Sequence, residues 1–148
     1  NPNELDEDLY KPNNIIFLVD VSSSMKDTSK LKVMQYALHH LIEVLRPSDK
    51  VTFITYADSV KILREGLSGK NKDVLNEVVD KLKAKGLTKG NKAILFSLDV
   101  ALKNYIQNGN NQIILKSTKI TKRLNIFYIL FIKIKNHPTP IANLFVIL

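Results

Sequence analysis

Three oxygen-bearing side chains stand at alternate positions in the segment Asp20-Val21-Ser22-Ser23-Ser24, directly after the apolar run Ile15-Ile16-Phe17-Leu18-Val19. One carboxylate and two neutral hydroxyls make a hard donor set. Such a set suits a divalent cation such as Mg²⁺ or Mn²⁺, which takes oxygen ligands in near-octahedral geometry and retains several waters. These residues would fill only part of the shell, so a carboxylate from another molecule can complete it. Where a strand runs out into a loop, residues two apart point the same way, so Asp20, Ser22 and Ser24 can converge just beyond the strand's carboxyl end. That rim is where open α/β sheets hold ligands. The plainer alternative is that Asp20 and the serines only end a strand and cap a turn through backbone hydrogen bonds. The chain has no cysteine, which excludes a disulfide framework and a thiolate metal site. His39 and His40 are adjacent and therefore cannot clamp one metal from a single helix face.

The elements that must position these residues follow from the apolar spacing. Five apolar residues without alternation at Ile15–Val19 predict a strand buried on both faces, as in a parallel sheet covered by helices. Asp27, Thr28 and Ser29 offer N-cap oxygens to an amphipathic helix that runs to about Leu45, with Leu31, Met34, Leu38 and Leu41 on its inner face and Pro47 as its stop. Asp49–Tyr56 reads as a second strand, and Val60–Arg64 as its antiparallel partner across a hairpin turn at Ala57-Asp58-Ser59. A second helix is expected over Asn71–Lys85, with Gly86 closing it in the usual C′ position. The loop Gly86-Leu87-Thr88-Lys89-Gly90 follows, then a third helix over about Lys92–Gln107 with Ile94, Leu95, Leu98, Ala101, Leu102 and Ile106 inward, and a strand over Gln112–Leu115. This order predicts an α/β domain with a mostly parallel central sheet, one antiparallel edge strand and helices on both faces.

Asp-Val-Ser-Ser-Ser after a hydrophobic strand resembles the Asp-x-Ser-x-Ser signature of the von Willebrand factor type A (vWA) family, and Gly86-Leu87-Thr88 is similar in type, order and place to the family's second motif. The resemblance covers residues 13–115. It implies the Rossmann-like vWA fold and a metal-ion-dependent adhesion site (MIDAS) built from Asp20, Ser22, Ser24 and Thr88. It further implies a bound Mg (or Mn) ion, a protein partner that offers an acidic residue, and an adhesion or protein–protein interaction role rather than an enzymatic one. Leu45-Arg46-Pro47-Ser48-Asp49-Lys50-Val51 and Thr55-Tyr56-Ala57 look most like bacterial members, which implies an exported or cell-envelope location. The pattern departs at its third motif. A Thr-Asp-Gly is expected after the fourth strand, whereas this chain reads Leu115-Lys116-Ser117-Thr118-Lys119 and has no acid after Asp99. A lysine there repels a cation, so ion binding is expected to be weak. A metal-free interaction module with a decayed ion site is the alternative within binding proteins. A Mg-dependent phosphatase-like hydrolase is the alternative from another class, but its Asp-x-Asp-x-Thr pattern needs a second carboxylate as general acid, and position 22 is Ser.

A chain of 148 residues is one domain in length and can bury a substantial core. Its organisation reads as an irregular lead-in over 1–14, the vWA-like core over 15–115, and an atypical end over 116–148. That end lacks acids and glycine, and is either the product of a frame change in an A/T-rich gene or a divergent terminus whose segments Leu124–Ile134 and Ile141–Leu148 complete the sheet. The net charge of +8 does not signal nucleic acid: residues 1–99 carry 15 Lys and Arg against all 14 Asp and Glu, and the excess lies after them. Leu124–Ile134 is too short for a membrane span, which needs about 20 apolar residues. No signal peptide is visible, and the start at Asn1 without a methionine is expected of a processed or trimmed chain.

Overall fold

The computed structural model describes residues 10–87, 90–121, 124–135 and 141–147. Strand β1 (Asn13–Asp20) lies at the centre and pairs in parallel with β2 (Lys50–Tyr56) on one side and β4 (Asn110–Thr121) on the other. β3 (Val60–Ser68) adds to β2 as an antiparallel edge. Beyond β4, β5 (Leu124–Lys135) and β6 (Ile141–Ile147) pair antiparallel, giving the sheet order β3-β2-β1-β4-β5-β6.

Helices cover both faces, which explains the unbroken apolar run in β1. Ile15, Phe17 and Val19 pack with Met34, Leu38 and Ile42 of α1 (Thr28–Glu43) and with Leu75 and Val79 of α2 (Lys72–Asp80). Ile16 and Leu18 turn the other way, toward Ala93, Val100 and Ala101 of α3 (Gly90–Lys103). The Phe17 and Phe53 rings stack at 4.9 Å between centroids and couple β1 to β2 within the first layer. Burying side chains of this size contributes about 1.5–3 kcal/mol each. Among the described residues no helix is long and apolar enough to cross a membrane.

Several boundaries differ from the sequence expectation, each for a local reason. α1 ends at Glu43, before Leu45, and its first turn is capped by Asp27, which accepts hydrogen bonds from Ser29 N–H (3.3 Å) and Ser29 Oγ–H (2.9 Å). Those bonds hold the Asp27 carboxyl below its ordinary range. α2 stops at Asp80 rather than Lys85, because the chain beyond it extends and Lys85 N–H is drawn into a bond to Val21 C=O at 2.7 Å. Gly86 therefore caps no helix. β3 continues to Ser68, with register shifts against β2 between Val51 and Phe53 and between Phe53 and Ile54. α3 keeps Ile94, Leu98 and Ala101 toward the sheet as expected, but Leu95 and Leu102 face outward, and Ala93, Ser97 and Val100 are buried instead. Small residues let the helix sit close to the sheet, and the buried Ser97 Oγ satisfies itself by donating to Ile94 C=O at 2.7 Å.

The amino-terminal end of the sheet is fastened by polar side chains. Asp49, 2% exposed, accepts from Asn13 N–H (2.9 Å), Asn13 Nδ2 (2.8 Å), Arg46 N–H (2.8 Å) and Arg46 Nη2 (3.0 Å). Burial pushes its carboxyl up, but the bonds from Arg46 and Asn13 together outweigh burial and hold it below the usual carboxylate range. Asn111, fully buried in β4, accepts from Ile106 N–H (2.9 Å) and Asn14 Nδ2 (3.1 Å) and donates to Ile106 C=O (3.0 Å). The carboxyl ends of the parallel strands, at the opposite rim, carry the candidate site.

Candidate functional site

β1 delivers Asp20 to that rim almost fully buried, at 2% exposure. Its Oδ1 accepts the Ser22 N–H at 2.8 Å, which turns the chain sharply out of the strand. A single 3-10 turn follows over Ser23–Lys26, closed by Met25 N–H to Ser22 C=O at 2.9 Å. Met25 is buried in the layer beneath α1 and anchors the turn, so Ser22 faces inward and Ser24 lies exposed. The two hydroxyl oxygens are 2.9 Å apart. That contact is a hydrogen bond between the two hydroxyls, and it keeps both oxygens together where they would serve a hard divalent cation beside Asp20. Asp20, Ser22 and Ser24 are thus brought onto one turn, as the alternate spacing predicts.

The second loop is tied to the first through backbone. Ser23 N–H donates to Gly86 C=O at 2.7 Å, and the Lys85 bond to Val21 lies beside it. Gly86 has φ of +90°, and a Cβ there would lie 2.3 Å from Asp58 Oδ2. Leu87 N–H donates to Asp58 Oδ1 at 2.6 Å. Thr88, the fourth expected ligand, lies outside the described residues. Asp58 carries no signal in the sequence beyond its place in a hairpin turn, because its partner is 29 residues away.

The third arm supplies no acid. β4 runs parallel to β1 with Leu115 beside Leu18 and Lys116 beside Val19, and from Leu115 to Thr121 the chain has neither Asp nor Glu. Among the described residues no three His, Cys, Asp or Glu side chains come together to hold a metal. Any ion would therefore rest on Asp20 and neutral oxygens. The histidines act elsewhere: the His39 ring nitrogens lie 2.6 Å from Asn76 Oδ1 and 3.0 Å from Asp80 Oδ1, bridging α1 to α2.

Comparison with known proteins places this geometry. Among curated proteins, YfbK of Escherichia coli (strain K12), described as an uncharacterized protein, is 34% identical over 102 residues, which are 69% of this chain and 18% of that protein. The chain thus spans less than a fifth of that relative's length. Among solved structures, three N-terminal domains of the type V pili tip protein Mfa5 from Porphyromonas gingivalis share the fold with a TM-score of 0.63 at 14% identity, covering 71% of this chain and 19% of that one. Proximal thread matrix protein 1 from the mussel byssus, solved with a zinc-occupied MIDAS motif, matches with a TM-score of 0.54 at 19% identity over 72% of this chain and 28% of that one. At those identities the likeness is one of fold alone. The profile of the von Willebrand factor type A domain matches residues 15–118, from β1 into β4, and on that match the chain belongs to the von Willebrand factor type A domain family.

Proposed function

We propose that this domain is a protein–protein interaction module of the adhesion kind, in which Asp20, Ser22, Ser24 and Thr88 hold a Mg²⁺ or Mn²⁺ ion that accepts an acidic side chain of a partner protein. The observation that carries this reading is the pair of serine hydroxyls 2.9 Å apart beside the buried Asp20. The cation, when bound, supplies a positive centre with positions open to an outside carboxylate. Asp20 provides the balancing charge, the bond from Ser22 N–H orients it, and the Met25 anchor fixes the turn before any ligand arrives. On this reading the site binds a partner and does no covalent chemistry. The functional core on this reading is 15–115, with Asn13 and Asn14 starting its central strand and β5 and β6 extending its sheet. An exported or envelope-associated setting accords with the pilus-tip neighbour.

A second reading is a metal-free interaction module whose ion site has decayed, and one observation favours it: Lys116-Ser117-Thr118 occupies the arm where the family pattern carries its second acid. Calorimetric titration of Mg²⁺ and Mn²⁺ into wild type, Asp20→Ala and Ser22→Ala/Ser24→Ala separates the two. The ion-site reading expects saturable binding by wild type and a loss of more than about tenfold in both variants. Equal null heats in all three would leave the metal-free module standing. Hydrolysis of a phosphomonoester in Mg²⁺ that disappears in Asp20→Asn would overturn both in favour of an enzyme.

A further inference from the structure

A cleft of about 450 Å³ opens between the β2–β3 hairpin and the extended segment that follows α2. Lys61 stands on its hairpin side, and Lys83 and Lys85 on the other. All three are exposed, and among the described residues none of them forms an ion pair with a carboxylate. Lys81 also lines the cleft but pairs with Glu77, as Lys103 does with Glu65 and Arg46 with Asp49 elsewhere in the domain. Asp58 also lines the cleft, but it is committed to Leu87 N–H and packs against Gly86, so it does not neutralise the lysines one for one. The floor is aliphatic, formed by Val21, Ala57, Leu63 and Leu82.

We infer that this cleft is a docking groove for an extended acidic segment of a protein partner, with glutamate or aspartate side chains on Lys61, Lys83 and Lys85 and an aliphatic side chain on the floor. Charge complementarity sets the sign of the occupant. Two features favour a peptide over a nucleic acid. Among the described residues no aromatic side chain lines the groove to stack a base. Along residues 1–99 the 15 basic side chains are interspersed with 14 acidic ones rather than gathered into a continuous basic track. The groove also shares Val21 and Lys85 with the backbone bond that ties the two loops of the Asp20 rim together. One acidic segment could thus run from the groove to that rim. The groove's own binding does not depend on the ion, and this separates its test from that of the proposal above.

The test is fluorescence anisotropy with the labelled peptide Glu-Glu-Leu-Glu-Glu-Leu-Glu-Glu on the intact chain, in EDTA, at low and moderate salt. Binding should be saturable, weaken as salt rises, and persist in Asp20→Ala. It should fall roughly tenfold in Lys61→Ala/Lys83→Ala/Lys85→Ala. The control Lys32→Ala/Lys50→Ala/Lys70→Ala, which removes equal charge from exposed positions outside the cleft, should bind like wild type. Circular dichroism checks that both triple variants remain folded, as expected for exposed side chains. An equal loss in the control, equal binding of the peptide with Gln for Glu, no binding at all, or tighter binding of a single-stranded oligonucleotide through the same lysines would each overturn the inference.

Discussion

At position 86 a side chain has no room: the backbone there is left-handed, and the first side-chain atom would fall within 2.3 Å of the Asp58 carboxylate. The same glycine offers its carbonyl to Ser23, in the middle of the Asp20 turn. Gly86→Ala is therefore expected to cost about 1–3 kcal/mol in a urea unfolding measurement, and, if the proposed ion site holds, to weaken Mn²⁺ binding by displacing the bond to Ser23. Removing the obstacle should relieve part of that cost, so in an Asp58→Ala background the Gly86 substitution should be cheaper. Additive costs would mean that the two residues do not meet as described. Asp20, Ser22 and Ser24 were readable from their types and alternate spacing alone, because the geometry of a strand running into a turn is local. Asp58 was not readable, since its role arises from a contact across the fold.

The elements are held in register at the rim opposite the candidate site, and pH reports on this. The folded Asp49 carboxyl titrates below its unfolded value, so its contribution to stability is fully present above the unfolded value of about 3.9 and is lost as pH falls through the folded one. Asp49→Asn should accordingly be less stable than wild type near neutral pH, with the gap closing in the acid range. A gap that stays constant down to the lowest pH at which both fold would show that the charge is immaterial. Asp49→Ala, which strands the donors of Asn13 and Arg46, should cost about 2–4 kcal/mol. Asn111→Ala should cost about 1–3 kcal/mol in the same assay, because it strands the Ile106 N–H and one N–H of the Asn14 amide, while Ile106 C=O keeps the Gly109 N–H and Asn14 Nδ2 keeps Ala101 C=O. The length of α2 and part of the inner face of α3 were misjudged from sequence for related reasons. Apolar residues continue past Asp80, but the chain there is pulled straight by the Lys85 bond to Val21, and Leu95 and Leu102 of α3 yield the sheet side to Ala93, Ser97 and Val100.

Across the whole molecule, stability should grade outward from β1. That strand is covered on both faces and paired on both edges, whereas β3 has one paired edge, irregular register and no fully buried residue. Native-state hydrogen exchange should find the amides of Ile16 to Val19 opening only with global unfolding, and those of β3 exchanging earlier. Equal protection in the two strands would contradict this gradient. Charge is graded too. The net excess of +8 belongs almost wholly to residues 100–148, while in the front of the chain the fold gathers Lys61, Lys83 and Lys85 around one cleft.

Taken alone, the order of residues determined the alternation of strands and helices, the buried central strand and the donor set at its end, because each depends on periodicity and on neighbours a few positions apart. Tertiary structure decided which loops meet at the rim. It also set where α2 stops, which face of α3 turns inward, and that lysines from a strand and from a post-helical segment border a common groove. Those outcomes rest on contacts between residues tens of positions apart, and the free energy of such contacts is fixed only once the packed layers have brought the residues together.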